Sequence, residues 1–319
     1  INMDSEDEGV ATVSCAGGLR VQFTKEIQRT TVQGSLLTLK VEGLLGGHSG
    51  QDIDKERQNA DLLMARMIQR LLKETKGQLV SFNGGTKDNA IPRECEASLI
   101  YESDEEAAKA EELACELAET YAEELTPAEP DFSCEISCET NRTAEAIPQD
   151  AAKEFICAMR LAPNGIQKRN IKMDGFVVVS LNLGVVRTEE DRIVMIFSPR
   201  SSVASLQEDT KERLNTLAET FGFTVSHSSE YPGWSFKEDS PVREICKESY
   251  KELFGEDLKI EAIHAGLECG LFSDAIKGLD AIAIGPTIAN CHTPDEYLTL
   301  DSFERFYEFL KDILSRLAK

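Results

Sequence analysis

Histidine occurs at three points of the sequence where the surrounding residues favour a functional role. His48 lies in LLGGHSGQDID, His264 lies in HAGLECG, and His292 lies in GPTIANCHTPDE directly after a predicted buried strand. Glycine is costly in a regular element unless the chain turns sharply or approaches something closely. Loops held by a rigid scaffold often carry binding and catalytic residues. The clustered glycines around His48 therefore predict that its imidazole is presented to a ligand.

Asp4, in INMDSEDEG, follows a possible strand in the same way as His292. A carboxylate and an imidazole at strand ends are ordinary ligands of zinc or manganese. The alternative is that Asp4 is a turn residue and His292 an exposed loop residue. For either residue alone, the alternative is favoured.

Two further residues have the right chemistry for a hydrolytic site. Asn89, in DNAIP, is either a turn former before proline or a donor to an oxyanion. Arg200, in SPRSS at a strand end, is either a surface residue or a two-pronged clamp for a carboxylate. A Cys291–His292 nucleophile is disfavoured, because neighbours in an extended segment point to opposite faces. The G-x-S-x-G motif of serine hydrolases does not occur in the sequence.

Alternating and helical patterns predict the elements that position these residues. Between about residues 34 and 222 the order strand–helix–strand–strand–helix occurs twice, which indicates a duplicated α+β sandwich with helices on one face. The predicted strands are 36–42, 78–82, 94–101, 132–139, 176–184 and 192–198, and the helices are 57–73, 104–124, 149–162 and 205–221.

The last third of the chain has a different pattern. A helix over 241–254 is followed by a strand over 258–263, the glycine-rich turn HAGLECG, a buried strand over 281–285 and a helix over 302–317. This alternation is typical of α/β folds, in which functional loops follow the strands. His264, Glu268 and His292 lie in such loops.

Composition limits the kinds of partner. The 319 residues carry a formal net charge of −23, which disfavours nucleic acid and anionic membrane surfaces. No apolar run is long enough to span a membrane, and no signal peptide is recognised. Nine scattered cysteines, without a C-x-x-C pair, are typical of a reducing compartment, so we expect a cytoplasmic protein.

In chain order, the segments GGHSGQDIDKERQNA, GGTKDNAIPREC, SPRSS, YPGW, HAGLECG and GPTIANCHTPDE resemble those of the aminoacyl-histidine dipeptidases. These are also called Xaa-His or cytosolic nonspecific dipeptidases, of the dinuclear-metal aminoacylase/carboxypeptidase superfamily. The resemblance implies an α/β zinc-peptidase-like catalytic domain, present here in part, that is interrupted by an inserted α+β lid. Residues 1–18 and 228–319 would be the catalytic pieces, and residues 19–227 would be the lid.

The resemblance also implies roles for single residues. Asp4 and His292 would bind two divalent metal ions, most simply zinc, with manganese or cobalt as options. His48 and Asn89 would come from the lid to stabilise the oxyanion formed when metal-activated water attacks a dipeptide. Arg200 would hold the substrate's C-terminal carboxylate, and Glu268 and His264 would line the substrate site. The resemblance leaves open whether the protein forms a homodimer.

The sequence departs from the family pattern in two ways. The H-x-D segment, the bridging aspartate and the Glu-Glu pair that precede the position of Asp4 are not in this sequence, so we expect a fragment that binds metal poorly and is inactive. Asp54 stands where the family often has histidine. The alternatives are a tripeptidase or N-acyl amino acid deacylase of the same superfamily, against which HAGLECG argues, and a non-catalytic interaction or dimerisation module.

Overall fold

The computed structural model describes residues 1–171, 175–291 and 294–318. Its helices are α1 Ala60–Glu74, α2 Asp104–Leu125, α3 Gln149–Leu161, α4 Ala204–Thr220, α5 Pro241–Phe254, α6 Glu268–Ala275 and α7 Leu300–Leu317. Its strands are β1 Val10–Cys15, β2 Gly17–Glu26, β3 Thr30–Glu42, β4 Gly47–His48, β5 Gln78–Gly84, β6 Ala90–Ile91, β7 Cys95–Tyr101, β8 Ser133–Ala146, β9 Gly165–Arg169, β10 Val177–Thr188, β11 Arg192–Ser201, β12 Thr224–Tyr231, β13 Lys259–Ile263, β14 Ala283–Ile284, β15 Ile288–Ala289 and β16 Tyr297–Leu298.

A nine-stranded sheet forms the larger part of the molecule. Eight strands lie in the order β12-β2-β11-β10-β5-β7-β3-β8, and β9 adds to β10. The alternation in β3 has the expected cause: Leu37, Leu39 and Val41 are buried, and the residues between them are only partly covered. Four helices, packed as α2-α1-α3-α4, cover one face of this sheet.

The large sheet consists of two β-α-β-β-α-β units that meet where β5 pairs with β10. The first unit contains β3, α1, β5, β7, α2 and β8, and the second contains β2, α3, β10, β11, α4 and β12. Each unit has the strand order of the ferredoxin-like fold, with antiparallel neighbours. The predicted duplication is therefore present, but β2 supplies the first strand of the second unit and β8 the last strand of the first.

Helix α1 shows how the sequence fixes the helical layer. The side chain of Asn59 caps its start by accepting from the backbone N–H groups of Asp61 and Leu62. Met64, Met67 and Leu71 recur at helical spacing and are fully buried against the sheet.

A smaller three-stranded sheet carries the rest of the core. Strand β1 is its centre, parallel to β13 and antiparallel to β14. Ser240 caps α5, whose Tyr250 packs against Phe309 of α7 with ring centroids 5.2 Å apart. Among the described residues, no helix combines the length and the apolar character needed to cross a membrane.

The segment from Asn2 to Glu6 lies beside the chain segment 282–288. The backbone N–H of Ile284 donates to the carbonyl oxygen of Asn2 at 3.1 Å, and that of Ile288 donates to Glu6 at 2.9 Å. The first residues and the last fifth of the chain therefore meet.

The structure corrects three sequence predictions and adds strands that were missed. HAGLECG is not wholly a turn, because α6 begins at Glu268. The strand predicted over 281–285 is reduced to β14, and the segment before Asp4 has one isolated bridge at Asn2 instead of a strand. Strands β1, β2 and β12 were not predicted. The predicted domain boundaries at 18/19 and 227/228 stay a prediction, since β2 begins at Gly17 and β12 ends at Tyr231.

Candidate functional site

His48 lies in the short strand pair β4–β6, which is separate from the large sheet and packs against its strand β10. It pairs with Ala90, and the next residue, Ser49, donates its backbone N–H to the carbonyl oxygen of Asn89 at 2.9 Å. Asp52 closes the following turn by accepting from the backbone N–H of His48 at 2.8 Å. The strand pair therefore places His48 and Asn89 on adjacent segments, and Asn89 is exposed.

The backbone fixes the tautomer of His48. Its Nδ1 accepts from the N–H groups of Gly50 at 3.2 Å and Gln51 at 3.0 Å, so the proton of the neutral ring is on Nε2. Partial burial and the charge of Arg200 lower the pKa of His48, and Asp52 opposes this shift. The ring is therefore a neutral Nε2–H donor at neutral pH.

Arg200 is a buried cation beside His48. Its side chain comes from β11, and the residue is 7% exposed. Within the described residues the guanidinium makes one hydrogen bond, from Nη1 to the hydroxyl of Tyr231 at 2.9 Å, and its Nε is buried without a partner. A buried charge without a counterion is costly. The arrangement therefore suits an anionic ligand.

His264 connects the small sheet to the large one. It follows β13, and its Nε2 lies 2.7 Å from the hydroxyl of Ser180 in β10. Burial, reinforced by Arg200 and His48, lowers the pKa of His264 to about 3, so the ring is neutral. Its Nδ1 is buried without a hydrogen-bond partner in the described part of the chain.

Gly50 allows the His48 loop to approach the loop of His264. A methyl group added at Gly50 would lie 2.3 Å from the carbonyl oxygen of His264 and 3.3 Å from Nε of Arg200. Only glycine fits such a close approach to a backbone atom. His48, Arg200 and His264, which are far apart in sequence, thus form one cluster.

Glu268 and Asp4 lie on the side of the small sheet. Glu268 begins α6, is exposed, and accepts from the side chain of Asn2 at 3.2 Å. Asp4 is exposed, two residues beyond Asn2. His292 lies outside the described residues, so its convergence with Asp4 stays a prediction, although Cys291 contacts Glu6.

The described residues do not fit a metal centre by themselves. No group of three or more His, Cys, Asp or Glu side chains that could hold a metal ion occurs within residues 1–171, 175–291 and 294–318. Asp4 is a suitable ligand, but one carboxylate does not make a site.

Sequence reasoning missed two residues that hold the cluster together. Ser180 is a polar residue in the apolar run GFVVVSLNLGVV. Because buried polar groups need hydrogen-bond partners, its position in that run could have predicted a contact with another polar side chain. Tyr231 lies in the quoted motif YPGW, but its hydrogen bond to Arg200 depends on a contact between distant strands.

Models of known protein families match most of the chain. The model of peptidase family M20/M25/M40 matches residues 85–316. The model described as a peptidase dimerisation domain matches residues 39–130, which cover most of the first β-α-β-β-α-β unit.

Two known proteins are similar over nearly the whole chain. The cytosol non-specific dipeptidase of Escherichia coli is 33% identical over 99% of this chain and 65% of its own length. The crystal structure of aminoacylhistidine dipeptidase from Vibrio alginolyticus has a TM-score of 0.93 and 33% identity, covering 99% of this chain and 64% of its own. The chain thus spans about two thirds of each.

Proposed function

Because the chain belongs to peptidase family M20/M25/M40, we propose that it carries the lid and part of the catalytic domain of a metal-dependent dipeptidase for Xaa-His and other dipeptides. The observation that carries the proposal is the pairing of a neutral Nε2–H donor, His48, with a buried guanidinium, Arg200, that has no counterion among the described residues. A dipeptide brings an anionic carboxylate and, during hydrolysis, an oxyanion.

In this proposal the two donors bind two different groups of the substrate. Arg200 binds the C-terminal carboxylate, since guanidinium–carboxylate bonds are strong and directional. The Nε2–H of His48, with the amide of Asn89, stabilises the charge on the scissile carbonyl oxygen. Glu268 and His264 line the substrate site between these donors, His48 and Arg200, and the small sheet.

We also propose the properties that the family resemblance implies. Asp4 and His292 would contribute to a site for two divalent ions, zinc first among the options, whose role would be to activate water. We derive no step through the metals, because the described residues lack a complete set of ligands. A catalytic domain of 1–18 and 228–319, a lid of 19–227, a homodimer and a cytoplasmic location complete the proposal.

The test is His48→Ala in the protein expressed from the complete gene, assayed on Xaa-His dipeptides with added zinc, manganese or cobalt. Loss of one oxyanion donor should lower kcat by about 10²–10³-fold, with the metal content unchanged. Chelation should abolish the activity of the wild-type protein.

The matched control is His227→Ala. His227 is an exposed residue of β12 that bonds to Asn215, so this variant should keep wild-type turnover. Normal turnover in His48→Ala would exclude His48 from the mechanism, and no hydrolysis by the wild type would reject the proposed function.

A further inference from the structure

The orientation of the Arg200 guanidinium depends on a single hydrogen bond. Of its five N–H groups, one on Nη1 donates to a described residue, Tyr231, at 2.9 Å, and the buried Nε donates to none. An arginine side chain has several rotatable bonds. It binds a carboxylate through two parallel hydrogen bonds only when its planar guanidinium is held in one orientation. The contacts that hold the Tyr231 side chain in place therefore also determine the orientation of the Arg200 guanidinium.

Tyr231 is itself held between two glycines. A methyl group on Gly18, in β2, would lie 2.7 Å from the Tyr231 hydroxyl oxygen and 2.9 Å from Cζ. A methyl group on Gly266, in the HAGLECG segment, would lie 2.9 Å from Cε2 on the ring. Both contacts are closer than a side chain allows, so both positions must lack one for the ring to fit.

The two glycines come from different parts of the molecule. Gly18 belongs to the large sheet, and Gly266 belongs to the loop that follows β13 of the small sheet. The ring of Tyr231 therefore lies where the two sheets meet, and its hydroxyl points at Arg200.

From this geometry we infer that Tyr231 is a positioning residue that sets the selectivity for a free C-terminal carboxylate by orienting Arg200. The inference rests on the proposed function, in which Arg200 binds that carboxylate. Tyr231 acts through Arg200 and does not take part in bond cleavage.

The experiment compares Tyr231→Phe with the wild type on two probes, glycyl-histidine and glycyl-histidinamide. Binding is measured by calorimetry with a chelator present, so that no turnover occurs, and hydrolysis is measured separately with metal added. Tyr307→Phe, at an exposed residue of α7, is the matched control, and thermal unfolding checks that all variants are folded.

We expect Tyr231→Phe to weaken binding of glycyl-histidine by about tenfold and to raise its KM similarly, because one hydrogen bond to a charged group is lost. Binding of the amide and kcat should change little. The preference for acid over amide should therefore fall in Tyr231→Phe and stay at the wild-type value in Tyr307→Phe.

Equal losses on both probes, an unchanged preference, or no preference in the wild type would each overturn the inference. A wild-type protein that binds the acid selectively through Tyr231 but hydrolyses nothing would support the inference and reject the proposed function. Failure of the inference about Tyr231 and failure of the proposed function therefore give different results.

Discussion

Asp61, the second residue of α1, is a fully buried carboxyl group beside Gly84 and Cys95. Its two carboxyl oxygens are buried, and the Cys95 thiol lies beside them. Its side chain contacts Gly84 so closely that no other residue fits there. Burial raises the pKa of Asp61 to about 8, with nearby Cys95 and Arg187 opposing the shift. The residue is therefore protonated in the folded protein at neutral pH.

This shift predicts how stability depends on pH. The unfolded chain releases the Asp61 proton near its ordinary pKa of 3.8, and the folded protein keeps the proton up to about 8. Folding therefore takes up a proton in this window. The free energy of unfolding should therefore fall by on the order of 1 kcal/mol per pH unit as the pH rises from about 4 towards 8.

Urea unfolding of Asp61→Asn at pH 5 and pH 8 tests this. The variant should lose that part of the pH dependence, so that its stability relative to the wild type is greater at pH 8 than at pH 5. Asp150→Asn is the control, because Asp150 is the second residue of α3, as Asp61 is of α1, but is exposed. Parallel pH profiles for Asp61→Asn and the wild type would contradict the prediction.

At the scale of elements, the loop after β4 brings the cluster together. Its backbone fixes the His48 tautomer, and Gly50 lets it lie against the carbonyl oxygen of His264. The loop therefore has two functions that a side chain at position 50 would disturb together.

Gly50→Ala should accordingly move the loop, since the new methyl group would meet a backbone atom that cannot rotate away. We expect a loss of kcat/KM of about tenfold or more, with a small change in melting temperature. Gln51→Ala, at the exposed neighbouring residue, should have wild-type activity. Steady-state kinetics on a Xaa-His dipeptide would measure this loss. Wild-type kcat/KM in Gly50→Ala would show that the close approach of the two loops is not needed for activity.

The elements differ in how well the sequence predicts them. Strand β3 and helix α5 follow regular hydrophobic patterns, so their existence was predicted correctly, and α5 has the predicted bounds. Strands β4 and β6 have two residues each, too few to show a period. Helix α6 begins at Glu268 without a side-chain cap, so the sequence lacks the usual helix-start signal there.

For the site, the sequence predicts residue types better than their contacts. His48 and Arg200 were proposed from their motifs, and the structure places both in one cluster, while their roles stay a prediction. The hydrogen bonds of Ser180 and Tyr231 join residues far apart in the chain, which composition and periodicity do not reveal.

At the scale of the whole molecule, the Ser180–His264 hydrogen bond joins the large sheet to the small sheet. Ser180→Ala would remove the hydrogen-bond partner of Nε2 in a buried histidine, which costs about 1–3 kcal/mol. We expect the loop 264–267 to open more often and its amide hydrogens to exchange about tenfold faster.

Hydrogen exchange with mass spectrometry measures this effect. Exchange in β3 and β8 should not change, because at least two strands, β5 and β7, separate them from β10. Ser228→Ala, at an exposed residue of β12, should leave the whole exchange pattern unaltered. Uniformly faster exchange would indicate global destabilisation instead of local opening.

The pairing of Thr30 with Ala146 has a consequence for how this chain could have arisen. These residues stand at the two ends of the first β-α-β-β-α-β unit, directly opposite each other on β3 and β8. In the sequence, the first unit is therefore inserted into the second, between β2 and α3. The chain enters and leaves the first unit at neighbouring points. A single gene-level insertion between β2 and α3 would have added the four strands of the first unit without rethreading any strand, and removal of residues 30–146 would need only a short bridging peptide.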